Sequence, residues 1–182
     1  MKKSIQVRRV LPLIWMAILG LSIQVSAQIA DVTSKLNEWQ TFDFSEGKQT
    51  GEFTFEFDMV PEKLGIDAVT GLTNKATAGT YSDLSVIVRF NSGNTIDAYN
   101  GSGYASENEL SYTAGTTYGV KVDVNASTMS YDVTVTPAGG DAVMIADDYI
   151  FRNKVINLTG MALVNGNFNI DDPGNHDVSN IV

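Results

Sequence analysis

Cysteine is absent from this 182-residue sequence, and histidine occurs only once. The lack of cysteine excludes a disulfide framework, a thiolate metal site and a cysteine nucleophile. A single histidine leaves little room for histidine-based catalysis or for a multi-histidine zinc site. Four prolines and 43% apolar residues are typical of a globular chain, and the length predicts one domain that its core alone must stabilise.

The first 27 residues have the pattern of an export signal. Four basic residues lie within positions 2–9, an almost unbroken apolar run covers 10–25, and small residues end at Ala27. This pattern predicts a cleaved signal peptide over residues 1–27 and a secreted or periplasmic protein. A membrane anchor is disfavoured, because the run is shorter than the roughly 20 residues that span a bilayer and Pro12 interrupts it.

Negative charge dominates the remainder of the chain. Four of the 12 basic residues and none of the 21 acidic residues lie in 1–27, which leaves eight against 21 and a net charge of −13 for 28–182. Such a chain repels phosphate backbones and anionic bilayers. We therefore expect no nucleic-acid partner, and no membrane association after the signal is removed.

Apolar and polar residues alternate with a period of two along most of the chain, which is the spacing of β-strands. In the segment 52–58 the phenylalanines point one way and the polar residues the other. The segments 118–124 and 129–136, joined by turn-forming residues, predict a hairpin, and 29–38 is the only short helical pattern. We predict about nine strands, at 39–44, 52–58, 84–91, 95–99, 109–112, 118–124, 129–136, 142–145 and 161–170.

Turn signals every 8–12 residues without intervening helices predict an all-β, antiparallel two-sheet β-sandwich. We place this domain at residues 28–172, with a long connection over 60–82 and a flexible C-terminal tail over 173–182. The predicted core consists of the apolar strand positions Phe53, Phe55, Phe57, Leu84, Val86, Val88, Phe90, Ile96, Ala98, Tyr118, Val120, Val122, Val124, Met129, Tyr131, Val133 and Val135.

Four stretches share a wider pattern: YSDLSVIVRFN at 81–91 with IDAYNG at 96–101, YTAGTTY at 112–118, YDVTVTP at 131–137 and DYIFR at 148–152. They resemble domains of the concanavalin A-like lectin/glucanase superfamily, over roughly residues 39–170. The resemblance implies a jelly-roll sandwich and a sugar-related role, often as an accessory module of secreted glycan-degrading enzymes. It supplies no catalytic motif.

Glu56 and Asp58 are weak catalytic candidates. Retaining glucanases of the superfamily carry a Glu-x-Asp-x-x-Glu pattern on one strand face, but Glu62 comes one residue too late and Pro61 should already have ended the strand. A solvated acidic face is favoured. Related lyases pair a histidine with a tyrosine, whereas His176 is interpreted here as a solvated residue of the tail.

A sugar-binding face requires fewer precisely placed groups than a catalytic site does. If Val88 and Phe90 point inward, Arg89 points to the opposite face. By the same alternation Asp97, Tyr99 and Lys121 could converge with it on one sheet, and Tyr104 on the loop 101–103 could close that face. The candidate ligand contacts are Arg89, Asp97, Tyr99, Tyr104 and Lys121. The alternative is that the charged members form ordinary cross-strand ion pairs.

No cofactor is predicted apart from a structural calcium ion, for which Asp171 and Asp172 offer hard oxygen ligands and Asp147–Asp148 is a second acidic pair. Neither pair follows a calcium-loop pattern, so acidic turns are favoured.

The leading functional hypothesis is a secreted, non-catalytic, lectin-like module that binds a polysaccharide or oligosaccharide. The alternatives are a glycan hydrolase or lyase that uses the acidic strand face, and a surface or structural interaction protein.

Overall fold

The structure is a computed structural model that describes residues 31–166 and 174–182. The predicted signal peptide, Asp171 and Asp172 therefore lie outside the described residues. The described part contains a 3-10 turn at Tyr81–Asp83 and twelve strands. The strands are β1 (Val32–Thr33), β2 (Gln40–Asp43), β3 (Glu52–Pro61), β4 (Ala68–Thr73), β5 (Leu84–Phe90), β6 (Thr95–Asn100), β7 (Gly103–Ser111), β8 (Tyr118–Asn125), β9 (Ser130–Pro137), β10 (Val143–Ile150), β11 (Gly160–Asn165) and β12 (His176–Ser179).

The strands form two six-stranded sheets whose paired strands are all antiparallel. Sheet 1 has the order β1-β12-β3-β8-β9-β10, and sheet 2 has the order β2-β11-β4-β5-β6-β7. The predicted hairpin is the β8–β9 pair, in which Val122 lies opposite Val133. The predicted all-β antiparallel sandwich is confirmed. Over the two described ranges, no helix has the length and apolar character needed to cross a membrane.

The core lies between the sheets and follows the predicted alternation. Phe55 and Phe57 of sheet 1 are buried against the inward residues Val88 and Phe90 of sheet 2. Each large apolar side chain buried in this way contributes about 1.5–3 kcal/mol. Of the predicted core residues, Phe53 and Met129 are half-buried, and Leu84 packs in a second cluster on the other face of sheet 2.

Two local predictions are wrong. The connection over 60–82 contains β4, whose residues are buried along the whole strand because both faces of sheet 2 are covered there. Such a strand lacks the alternation that identifies a half-exposed one. The helical pattern over 29–38 is also not realised, because its described residues form β1 and a bridge between Lys35 and Glu38.

The C-terminal tail predicted over 173–182 is corrected as well, because its described residues include β12, which lies between β1 and β3. Val178 is fully buried while Asp177 is exposed, so the strand alternates normally despite its polar composition. The end of the chain is also anchored, since Val182 and Glu56 exchange two backbone hydrogen bonds of 2.9 Å. Pairing with β1 and β3 therefore makes a strand of a segment whose polar sequence is typical of a loop.

His176 is a core residue and not a solvated one, with 1% of its surface exposed. Its Nε2 lies 2.8 Å from the Thr70 hydroxyl, and its ring meets the edge of Phe90 at a centroid distance of 6.1 Å. Its Nδ1 is buried without a hydrogen-bond partner among the described residues. Burial lowers the pKa of His176 from the usual 6.5 to about 3, so the ring is neutral in the folded protein.

We expect His176 to make the fold acid-sensitive. Below pH 6.5 the unfolded chain binds a proton that the folded chain excludes, so stability is complete above that pH and is lost as the pH falls toward 3. From pH 7.5 to 4.5 this residue should remove about 2–3 kcal/mol of unfolding free energy. Urea unfolding of wild type and His176→Gln across this range measures the effect, because glutamine does not titrate. An identical pH dependence in both proteins would contradict the prediction.

Candidate functional site

The outer face of sheet 2, turned away from the core, holds most of the predicted ligand contacts. Because Val88 and Phe90 point inward, Ile87 and Arg89 of β5 point outward. A smaller apolar cluster forms the floor of this face, with half-buried aromatic rings around it. Its buried members are Val69, Ala78, Leu84, Ile87, Ala162 and Val164, and the aromatic residues are Trp39, Tyr81, Tyr99 and Tyr104.

Arg89 and Asp97 form a bidentate ion pair on this face. The strand register places the two residues directly opposite each other on β5 and β6. Arg89 Nε donates to Asp97 Oδ1 at 2.9 Å, and Nη2 donates to Oδ2 at 2.8 Å. Asp67 lies 3.4 Å from Nη1, and Asn91 Nδ2 donates to Asp97 Oδ2 at 2.7 Å. Only 20% of the Arg89 side chain and 11% of the Asp97 side chain are exposed, so the pair is largely desolvated.

Three tyrosines and two arginines form a continuous stack beside this ion pair, which we call the tyrosine–arginine cluster. Arg89 lies over the Tyr104 ring, with its guanidinium carbon 3.5 Å from the ring centre. Tyr104 meets Tyr99 edge to face at 5.3 Å, and Arg152 lies over Tyr99 at 4.5 Å and over Tyr81 at 6.0 Å. Cation–π contacts of this kind fix both the rings and the guanidinium groups.

Partial burial keeps the phenol groups of Tyr104 and Tyr81 in their neutral form. Desolvation raises the pKa of Tyr104 to about 12, although the positive charges of Arg89 and Arg152 act in the opposite direction. Desolvation, together with the charge of Asp67, also raises the pKa of Tyr81. A neutral phenol both donates and accepts a hydrogen bond, as a sugar hydroxyl does.

The loop before β5 closes one side of the cluster. The Asp83 carboxylate accepts hydrogen bonds from the backbone N–H groups of Gly79 and Thr80, at 2.9 Å and 3.0 Å. The Ala78 N–H donates to the Thr41 hydroxyl at 2.9 Å and ties the loop to β2. Tyr81 follows in the 3-10 turn and meets Trp39 at a centroid distance of 5.2 Å. The loop therefore presents Tyr81 from a fixed backbone.

Lys121 does not join the other four predicted contacts. It lies on β8 of sheet 1, where its Nζ is 2.5 Å from Asp123 Oδ2. The prediction that Lys121 shares one sheet with Arg89, Asp97 and Tyr99 is therefore wrong. Tyr104, predicted on the loop 101–103, lies in β7 of sheet 2, opposite Tyr99. Period-two alternation gives the face of a strand but does not say to which of two sheets the strand belongs.

Glu56 and Asp58 lie on β3 of sheet 1. Glu56 is paired in register with Lys121, and Asp58 accepts a 2.7 Å hydrogen bond from Asn180 Nδ2. As expected from the sequence, β3 ends at Pro61, and Glu62 lies beyond it, where it accepts a hydrogen bond from the Asn175 N–H. A catalytic role for Glu56 and Asp58 stays an untested alternative.

An open groove of about 740 Å³ lies at one end of sheet 1 and carries several carboxylates. Asp147 and Asp148 form a bulge of β10 there, and the Asp148 N–H donates to Asp132 Oδ1 at 2.6 Å. In the part of the chain that the structure describes, no group of three or more His, Cys, Asp or Glu residues is arranged to hold a metal ion. Calcium binding by Asp171 and Asp172 stays a prediction.

Three comparisons place this architecture among known proteins. The chain is 36% identical over 98 residues to a gellan lyase from Bacillus sp, and this stretch covers 53% of the chain and only 4% of that protein. The lectin UEA-II complexed with galactose superposes with a TM-score of 0.56 at 12% identity, covering 86% of this chain and 83% of the lectin. No protein-family profile matches the chain.

A GH131 beta-glucanase catalytic domain from Podospora anserina superposes with a TM-score of 0.52 at 6% identity, over 83% of this chain and 69% of that domain. The metal-free lectin I-B4 from Griffonia simplicifolia gives 0.51 at 12% identity, over 79% and 75%. The fold is the concanavalin A-like jelly roll. The resemblance inferred from the sequence is thereby confirmed at the level of the fold.

Sequence reasoning missed Arg152, Tyr81 and Trp39 as members or neighbours of the cluster. Arg152 follows the end of β10, and Tyr81 lies in a 3-10 turn, so alternation along a strand reaches neither residue. The stretches 81–91 and 148–152 were the available signal, because both resemble segments of jelly-roll proteins. Both stretches predict the fold, but neither by itself predicts a site.

We expect the Arg89–Asp97 pair to stabilise the jelly roll. Arg89→Met leaves the Asp97 carboxylate largely buried without its cation, which should lower the unfolding free energy by about 3 kcal/mol. Lys121→Met is the matched control, because the side chains of the Lys121–Asp123 pair are 48% and 44% exposed, and it should cost under about 1 kcal/mol. Denaturant unfolding measures both values, and equal losses would contradict the expectation.

Proposed function

We propose that this protein is a non-catalytic, lectin-like module that binds a glycan on the tyrosine–arginine cluster of sheet 2. The observation that carries the proposal is the arrangement of Tyr99 and Tyr104 on the Arg89–Asp97 pair. Two half-buried phenols lie beside a fixed guanidinium and carboxylate above an apolar floor. Pockets for small polar ligands combine such apolar surfaces with a few oriented polar groups.

The chemistry of a sugar fits this surface. A pyranose ring has an apolar face that packs on an aromatic ring, and hydroxyl groups around its edge that need donors and acceptors. The phenol of Tyr104 can supply both a donor and an acceptor. In the proposed complex Arg89 holds the ring of Tyr104 and the carboxylate of Asp97 in place and thereby acts as a positioning residue.

The comparisons support a sugar ligand. The sequence similarity is to a stretch of a gellan lyase, and one jelly roll of similar structure is a lectin complexed with galactose. We favour a binding module over a hydrolase or lyase because Glu56 and Asp58 lie on β3 of sheet 1, apart from the tyrosine–arginine cluster of sheet 2, and Asp58 already accepts a hydrogen bond from Asn180. An interaction protein that binds through its sheet edges is the remaining alternative.

Affinity electrophoresis of the purified protein through gels that contain single polysaccharides, neutral and acidic, tests the proposal. Tyr99→Ala should weaken retention by the retarding polysaccharide by about tenfold or more, as expected for a residue that supplies much of the binding energy. Lys121→Met, which alters the outer face of sheet 1, should behave as wild type. Thermal unfolding of each variant verifies that the fold is intact. The proposal is rejected if no polysaccharide retards the protein, or if Tyr99→Ala leaves retention unchanged.

A further inference from the structure

Arg152 has a cationic side chain that no group of the described chain neutralises. In residues 31–166 and 174–182, no carboxylate lies within 4.0 Å of its guanidinium, and its side-chain N–H groups form no hydrogen bond. Arg89 is the opposite case, because Asp97 and Asp67 both pair with it. A guanidinium has five N–H donors in a planar fork, so the donors of Arg152 remain available to a ligand.

The backbone holds Arg152 firmly beside β5. The Arg152 N–H donates to the Ser85 carbonyl at 2.9 Å, and the Asn153 N–H donates to the Leu84 carbonyl at 3.1 Å. The Ser85 hydroxyl in turn donates to the Asn153 carbonyl at 2.8 Å. The guanidinium then lies over the Tyr99 and Tyr81 rings. Its position is therefore set before any ligand arrives, which lowers the entropic cost of binding.

Positively charged side chains are scarce in this chain. Residues 28–182 carry a net charge of −13, from eight basic and 21 acidic residues, and include only two arginines. The structure brings both arginines to the tyrosine–arginine cluster. Asp67 and Asp97 balance the two arginines in formal charge, but both carboxylates lie against Arg89, so Arg152 is the cation of the site without a direct ion-pair partner. A half-buried guanidinium without such a partner attracts a ligand anion at short range.

We propose that Arg152 binds the carboxylate of a uronic-acid residue, so that the ligand of the tyrosine–arginine cluster is an acidic glycan. This inference rests on the proposed function and names its ligand class. A guanidinium and a carboxylate form two parallel charge-assisted hydrogen bonds, which add orientation as well as affinity. Tyr99, directly beneath Arg152, offers its exposed part to the sugar ring that bears the carboxylate.

The experiment compares acidic oligosaccharides with neutral copies of themselves. Oligogalacturonates, oligoglucuronates and oligomannuronates of defined length are each titrated into the intact protein by calorimetry at fixed ionic strength. The same oligosaccharides are then titrated after every carboxyl group has been reduced to a primary alcohol. We expect at least one acidic form to bind about tenfold or more tightly than its reduced form, which is the loss typical of a charged hydrogen-bonding partner.

Variants separate a specific contact from general attraction. Arg152→Gln should weaken binding of the acidic form by about tenfold or more, a clearly larger loss than the change it causes in binding of the reduced form. Arg152→Lys should bind the acidic form more tightly than Arg152→Gln and less tightly than wild type, because lysine keeps the positive charge but lacks the planar pair of N–H donors. Lys154→Gln is the matched control, since it removes an exposed positive charge two residues away and should change affinity by no more than about twofold.

The outcomes distinguish this inference from the proposed function. Equal affinity for acidic and reduced forms, or equal losses in Arg152→Gln and Lys154→Gln, overturns the role of Arg152. Tyr99-dependent binding of neutral glycans alone also overturns it and leaves the proposed function standing. If no glycan of either kind binds, the proposed function fails, and the inference fails with it.

Discussion

The pairing of β5 with β6 places Arg89 directly opposite Asp97, and the candidate site is organised around that contact. The carboxylate fixes the guanidinium by two hydrogen bonds, and the guanidinium fixes the ring of Tyr104. Tyr104 meets Tyr99, and Tyr99 supports Arg152. Because the ion pair is largely desolvated, removing one partner leaves the other buried and uncompensated. One cross-strand register therefore fixes Arg89 and Asp97 and, through Arg89, the ring of Tyr104.

Sheet 2 differs from sheet 1 in being apolar on both faces. Its inner face completes the core, whereas its outer face buries a second cluster that includes Ile87 and Val164 beneath the loop that ends at Tyr81. Sheet 1 turns exposed carboxylates outward, and its ion pair between Lys121 and Asp123 is half exposed. An apolar floor with aromatic residues around it can exclude water from a bound ligand, whereas a charged, open face cannot. This contrast is why the proposed site lies on sheet 2.

The sequence predicted the sandwich, its hairpins and most of its core, because half-exposed strands show their alternation directly. Phe55, Phe57 and Val133 are buried as expected. The prediction failed where alternation is hidden or weak. β4 is buried on both faces, and β12 is polar enough to resemble a tail, although it places His176 and Val178 in the core. For the site, alternation grouped Arg89, Asp97 and Tyr99 on one face, and β7 adds Tyr104 beside them.

Local alternation is enough to tell which side chains of a half-exposed strand face inward and which outward, because successive side chains point to opposite faces. Which strands become neighbours is fixed only when the two sheets pack. The tertiary structure separated Lys121 from Arg89 by assigning β8 to sheet 1, and it brought Arg152 from a distant position onto the rings of Tyr99 and Tyr81. These are long-range choices, made by the packing of two whole sheets and by backbone pairing between segments far apart in the chain. No local pattern encodes them.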